Sequence, residues 1–120
     1  MKRCYSLTRV FIRLPQFEKQ CKHINLDEDD VRAIEIALLD NPASGTINNG
    51  TGGIRKFRFP LPNIGKRGGV RVIYVDFAFY EKIYLITAYG KSETEDLTQA
   101  ERNELKKLID ILLLELKRKG

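Results

Sequence analysis

The sequence predicts an α+β fold: a small antiparallel β-sheet meander with two N-terminal helices and a C-terminal helix, in the order β-α-α-β-β-β-α. Three observations carry that reading. Ile54–Phe59, Val70–Phe77 and Ile83–Tyr89 are short runs rich in β-branched and aromatic residues, and the link between the last two is short enough for a hairpin. Apolar residues recur at helical spacing before and after these runs. The 120 residues give room for one hydrophobic core, so a single domain spanning residues 1–120 is expected.

The elements follow in order. Arg9-Val10-Phe11-Ile12-Arg13-Leu14 reads as a first strand that stops at Pro15. Gln16 to His23 reads as a short helix. Asn25-Leu26-Asp27-Glu28-Asp29-Asp30 gathers carboxylates at the start of a second helix, where the macrodipole favours them. Val31, Ile34, Ala37 and Leu38 form its apolar stripe. Asn41-Pro42 ends it, because the residue before a proline is pushed out of the α region. Ala43 to Gly53 is turn-rich, and a loop from Pro60 to Gly69 separates the first two strands of the meander. Thr98 and Glu101 have the spacing of a capping box for the last helix, whose stripe is Leu105, Leu108, Ile109, Leu112 and Leu116. Ile111-Leu112-Leu113-Leu114 is wider than one stripe. It reads as a deeply buried helix, with a partner-binding face as the alternative. The helices are expected to cover one face of the sheet.

Composition excludes several classes. Hydrophobic residues make up 42% and charged residues 31%, an ordinary globular balance. No apolar run approaches the roughly 18 residues of a membrane span. Arg9 and Arg13 interrupt any signal-peptide core near the N-terminus. Two cysteines and one histidine are too few for a disulfide framework or a zinc cage. Cys4 and Cys21 read as reduced thiols of a cytoplasmic protein, and His23 as a surface histidine. Thr51-Gly52-Gly53 lacks the lysine spacing of a phosphate-binding P-loop. No cofactor and no metal site are expected.

The net charge of +5 is unevenly spread. From Asn41 to Val75 there is no Asp or Glu, yet Arg55, Lys56, Arg58, Lys66, Arg67 and Arg71 all lie there. The remainder carries 15 basic and all 16 acidic residues, so the whole positive excess sits in one segment. That pattern points to an anion-binding surface. Side chains alternate along a strand, so Lys56 and Arg58 project to one face, and Arg71 on the next strand can lie beside them. Tyr89 and Lys91 share parity at the end of the last strand. Arginine forks grip phosphates and aromatic rings stack on unpaired bases; the competing reading of Tyr89 is half-buried sheet packing. Such a cluster can cleave RNA without a metal. The substrate supplies its own 2′-OH nucleophile, and the protein has to orient it, move its proton and neutralise the developing charge. A lysine crowded by other cations is easier to deprotonate and so suits the role of base.

Several motifs together resemble the RelE/HigB-type toxins of bacterial type II toxin–antitoxin modules. They are Asn41-Pro42-x-x-Gly45, Gly50-Thr51-Gly52-Gly53, Ile54-Arg55-Lys56-Phe57-Arg58, the run from Gly65-Lys66-Arg67-Gly68-Gly69 through Val70-Arg71-Val72-Ile73-Tyr74, Leu85 to Lys91, and Asp96-Leu97-Thr98 before the final helix. The resemblance covers the chain from about Phe17 onward. It implies a RelE-like fold and a ribosome-dependent mRNA endonuclease that cuts codons in the ribosomal A site. The implied partners are a cognate antitoxin, the ribosome and mRNA, with no membrane. By similarity Lys56 and Arg58 are the first basic pair, Arg71 stabilises the phosphate, and Lys91 belongs to the final Gly-Lys segment. Arg55, Lys66 and Arg67 are expected to contact ribosome or RNA. The chain departs from the best-known members in two places. Ser92 stands where they carry a further arginine, and no tyrosine opens the last helix, which leaves Tyr89 as the candidate to substitute. The alternatives are a ParE-like DNA gyrase inhibitor, which shares the fold and cuts no RNA, and a non-catalytic basic RNA- or DNA-binding module.

Overall fold

The computed structural model describes residues 9–60, 69–90 and 97–119. Strand β1 spans Val10–Arg13, helix α1 Pro15–His23 and helix α2 Glu28–Asp40. Strands β2 (Thr46–Ile47), β3 (Ile54–Phe59), β4 (Val70–Phe77) and β5 (Lys82–Gly90) follow, with a 3-10 turn at Ala78–Tyr80, and helix α3 spans Gln99–Lys119.

Local chemistry explains most of these boundaries. Pro15 ends β1 and opens α1 at its first turn, where its missing N–H costs nothing. Asp27 caps α2: its side chain accepts from the Asp30 N–H at 2.8 Å, and the Asp30 carboxylate accepts from the Asp27 N–H at 3.1 Å. This reciprocal box explains why Asp30 is buried. Asn41, in extended conformation, ends α2 ahead of Pro42. The expected box on α3 is present as well. The Thr98 N–H donates to Glu101 at 2.8 Å, and the Glu101 N–H donates to the Thr98 hydroxyl at 3.1 Å.

The strands form one five-stranded sheet in the order β1-β5-β4-β3-β2. The meander β3-β4-β5 is antiparallel, as the sequence predicts. Two strands extend it. The two-residue β2 pairs antiparallel with β3, and β1 adds on parallel to β5, making the sheet mixed. Strand β1 lies within the run read as a strand, but its place on the sheet was not legible because it meets a strand some seventy residues away, and the two residues of β2 show no periodicity.

The helices cover both faces instead of one. Phe17, Cys21, Leu26, Val31, Ile34 and Leu38 of the α1–α2 layer pack on Val70, Val72, Tyr74, Ile83, Leu85 and Ala88. On the opposite face, Ile109 and Leu116 of α3 pack on Ile54, Ile73, Val75, Tyr84, Ile86 and Tyr89. Alternation along β4 forces this division, because both of its faces are apolar and each must be removed from water. The expectation of a deeply buried α3 is corrected too. Only its predicted stripe packs, while Ile111 and Leu114 are each 59% exposed.

Outside the basic segment the charges pair with one another. Arg9 makes a two-point contact with Asp76 at 2.8 and 3.2 Å, and Arg13 joins Glu28 and Glu35 at 2.9 Å each.

Candidate functional site

Cross-strand register builds the site. Arg58 of β3 pairs with Arg71 of β4, which pairs with Tyr89 of β5. The next row inward on the same face is Lys56, Ile73 and Thr87. The three cations therefore occupy adjacent positions on the α3 side of the sheet, at the end of β3 and β5 and the start of β4. Residues directly opposite on one face have Cβ atoms about 5 Å apart.

A bulge keeps this row in line. The register shifts between Ile73 and Tyr74, so that Ile73 faces Thr87 while Tyr74 faces Leu85. One extra residue, Ile86, is absorbed in β5, and without it Tyr89 would fall on the opposite face. The α1 side chain Gln20 donates to the carbonyl of Ala88 at 3.0 Å, beyond the point where β1 stops pairing with β5. Nothing in the sequence marks this contact, which spans 68 positions.

Exposure grades along the row. Arg58 is exposed, Arg71 and Lys56 are half-buried, and Tyr89 is buried. The Tyr89 ring belongs to the apolar cluster beneath α3, so it is packing in the sheet and offers no open face to a base. Lys66, Arg67 and Lys91 lie outside the described residues. Arg55 is not brought to the row. It stands on the α1–α2 face opposite Tyr74, where its guanidinium donates to the carbonyl of Gly45 at 2.7 Å.

That contact belongs to a latch that gives several of the quoted motifs a structural role. The buried Tyr74 hydroxyl donates to the carbonyl of Pro42 at 2.7 Å and accepts from the Gly45 N–H at 3.0 Å. Burial pushes the Tyr74 pKa up, which keeps the proton that the Pro42 bond requires. A Cβ on Gly45 would lie 2.9 Å from both the Lys56 carbonyl oxygen and the Tyr74 ring. The loop after α2 is thereby pinned against the β3 backbone at Lys56. Thr51 acts similarly: its buried hydroxyl donates to the Asn48 carbonyl at 2.6 Å and accepts from the Ile54 N–H at 3.2 Å. Arg102 of α3 donates to the Asn49 carbonyl at 2.9 Å, which ties the last helix to the same turn. The glycine-rich turn is therefore a scaffold for β3. Gly69, at φ +64, has no room for a side chain against the Phe59 carbonyl and Pro60, so the chain can only begin β4 there with glycine.

The family model described as the RelE toxin of the RelE / RelB toxin–antitoxin system matches residues 8–119. The chain belongs to the RelE toxin family. Membership makes it a toxin of a toxin–antitoxin system with an antitoxin partner. The five-stranded sheet with three helices is consistent with a RelE-like fold. Among the described residues of this RelE-family toxin, no helix is long and apolar enough to cross a membrane.

The row has a definite electrostatic character. Like charges directly opposite each other on neighbouring strands are destabilising, and Arg58 and Arg71 are such a pair. A phosphate seated between them would convert that repulsion into two charge-assisted contacts.

Proposed function

We propose that this RelE-family toxin is a ribosome-dependent mRNA endonuclease that arrests translation in the cytoplasm. The observation that carries this reading is the cross-strand row in which Arg58 stands opposite Arg71, with Lys56 one row inward on the same face. Arg58 and Arg71 hold the scissile phosphate and neutralise the charge that builds on its non-bridging oxygens. Lys56 and Lys91 are the candidates for moving protons to and from the 2′-OH and the leaving 5′-oxygen. Tyr89, beside Arg71, supports that arginine. Lys66 and Arg67 are assigned to ribosome or RNA contacts, and Arg55, held on the opposite face by Gly45, to the scaffold.

In this reaction the 2′-oxygen attacks phosphorus, the bond to the 5′-oxygen breaks, and the products are a 2′,3′-cyclic phosphate and a 5′-hydroxyl. No carboxylate lies between Asp40 and Asp76, and carboxylates are what converge on Mg²⁺ in metal-dependent nucleases. The test is ribosome-programmed cleavage of a message carrying a 2′-deoxy or 2′-O-methyl sugar at the cut site. Loss of cutting is expected, and undiminished cutting would exclude attack by the 2′-OH. Intact mRNA after induced expression, together with arrested DNA gyrase, would instead select the ParE-like alternative.

A further inference from the structure

The site end of β5 has a strand on one side only. Its inner edge pairs with β4, Ala88 opposite Val72, Tyr89 opposite Arg71 and Gly90 opposite Val70. On its outer edge the parallel pairing with β1 ends at Arg13 and Leu85, where the Leu14 N–H donates to the Leu85 carbonyl at 3.0 Å. Helix α1 takes over from there. The half-buried Gln20 reaches across the α1–α2 side, and its Nε2 donates to the Ala88 carbonyl at 3.0 Å.

Which carbonyl meets Gln20 depends on the bulge. Backbone carbonyls alternate between the two edges of a strand. Counting on from Leu85, a regular strand would next point a carbonyl outward at Thr87. The extra residue at Ile86 moves the alternation on by one, so the outward carbonyl is that of Ala88. Without the bulge, Arg71 would stand opposite Ala88 and Val70 opposite Tyr89. The Ala88 carbonyl would then turn toward β4, out of reach of Gln20. Tyr89 would join Val70 on the α1–α2 face, to which Val70 belongs. A one-residue slip reverses every side chain beyond it. Gln20 therefore bonds the register that sets Tyr89 beside Arg71, and not its alternative.

We propose that Gln20 is a positioning residue that locks the bulged register of β5. The proposal rests on the reading of the Arg58, Arg71 and Tyr89 row as the cleavage site. Gln20 comes from the helix layer on the opposite side of the sheet and acts through the backbone. It fixes the end of the strand that carries Tyr89, and with it the start of the chain that leads to Lys91. Misplacing reacting groups by about 1 Å costs on the order of 100-fold in rate, so this neutral hydrogen bond weighs on rate more than on stability.

The test compares Gln20→Met, which keeps the length and loses the donor, with Gln20→Lys, which restores an N–H donor at similar reach. In ribosome-programmed cleavage, Gln20→Met should lower the maximal rate by at least about 10-fold and leave the ribosome concentration for half-maximal rate unchanged. Gln20→Lys should recover to within about 3-fold of the parent. Thr98→Ala, weakened at the α3 cap instead, should cut at the parent rate, which separates lost positioning from lost stability. Amide hydrogen exchange on the same proteins reads the strand end directly. Tyr89 and Gly90 should exchange faster in Gln20→Met and return to the parent rate in Gln20→Lys. Cutting by Gln20→Met at the parent rate would overturn the proposal, as would a loss confined to the half-maximal concentration or one that Gln20→Lys leaves unrepaired. A parent toxin that cuts no message would reject the nuclease reading. Exchange at Tyr89 and Gly90 would then decide the lock alone: faster in Gln20→Met upholds it, unchanged overturns it.

Discussion

Arg58 and Arg71 face each other across two paired strands, inside a segment that contains no acid, and two guanidinium groups so placed suit an anion. Replacing Lys56 or Arg71 by Ala should therefore leave stability within about 0.5 kcal/mol of the parent while abolishing toxicity, read by thermal melts and a growth assay on the same variants. Tyr74 is the opposite case. Its hydroxyl bonds Pro42 and Gly45 in a buried setting, so Tyr74→Phe leaves two backbone groups unsatisfied and should cost about 1–3 kcal/mol in a urea titration. Cys21 is buried, and burial pushes its thiol from 9.0 up to about 11. A raised folded pKa for an acid means stability that is present below the unfolded value and lost as pH rises through the folded one. The stability difference between the parent and Cys21→Ala should accordingly narrow between pH 9 and 11. With Cys4 replaced by Ser, iodoacetamide should label Cys21 only after denaturation.

Element boundaries follow local rules more closely than element placement does. The capping boxes at Asp27 and Thr98 form where the sequence places carboxylates and hydroxyls. Thr98→Ala should cost about 0.5–2 kcal/mol, measured as a lower melting temperature with the toxic activity retained. Strands β3 and β4 carry the predicted limits, Ile54–Phe59 and Val70–Phe77, because β-branched and aromatic residues together make up half or more of both runs. The bulge at Ile86 was not legible, since it depends on which residues of β4 oppose β5. The same holds for the Gln20 contact to Ala88 and for the burial of Tyr89. Parity placed Lys56 and Arg58 on one face and allowed Arg71 beside them, but could not bring Tyr89 to that face without the bulge, nor say that α3 covers Tyr89 and leaves Arg58 open. Arg55 belongs to the acid-free basic segment, which suggests a contact to ribosome or RNA. Its odd position on β3 sends it to the other face, where the loop carbonyl of Gly45 receives it.

Across the whole molecule, charge is segregated. Acids on α2 and β4 are matched by Arg9, Arg13 and Arg32, while the segment from Asn41 to Val75 holds six cations and no acid. Ribosome binding should depend steeply on salt. If the five cations other than Arg55 engage phosphates, log K against log salt should have a slope of about −3.5 by the counterion-release argument for single strands. Affinity that hardly changes over a several-fold range of salt would contradict that footprint.

The sequence by itself determined the antiparallel meander, most helix starts and stops, the sharing of one sheet face by Lys56 and Arg58, and the family. Each of these depends on patterns within a dozen residues: alternation, helical periodicity, capping and turn chemistry. Only the tertiary structure decided that β1 closes the sheet in parallel, that helices lie on both faces, that Arg55 and the glycine-rich turn are scaffold, and that α3 leaves Ile111 and Leu114 in water. Those outcomes depend on which surfaces meet. A strand apolar on both sides needs two covering layers, and a single helix laid on a sheet can bury only the stripe that faces it.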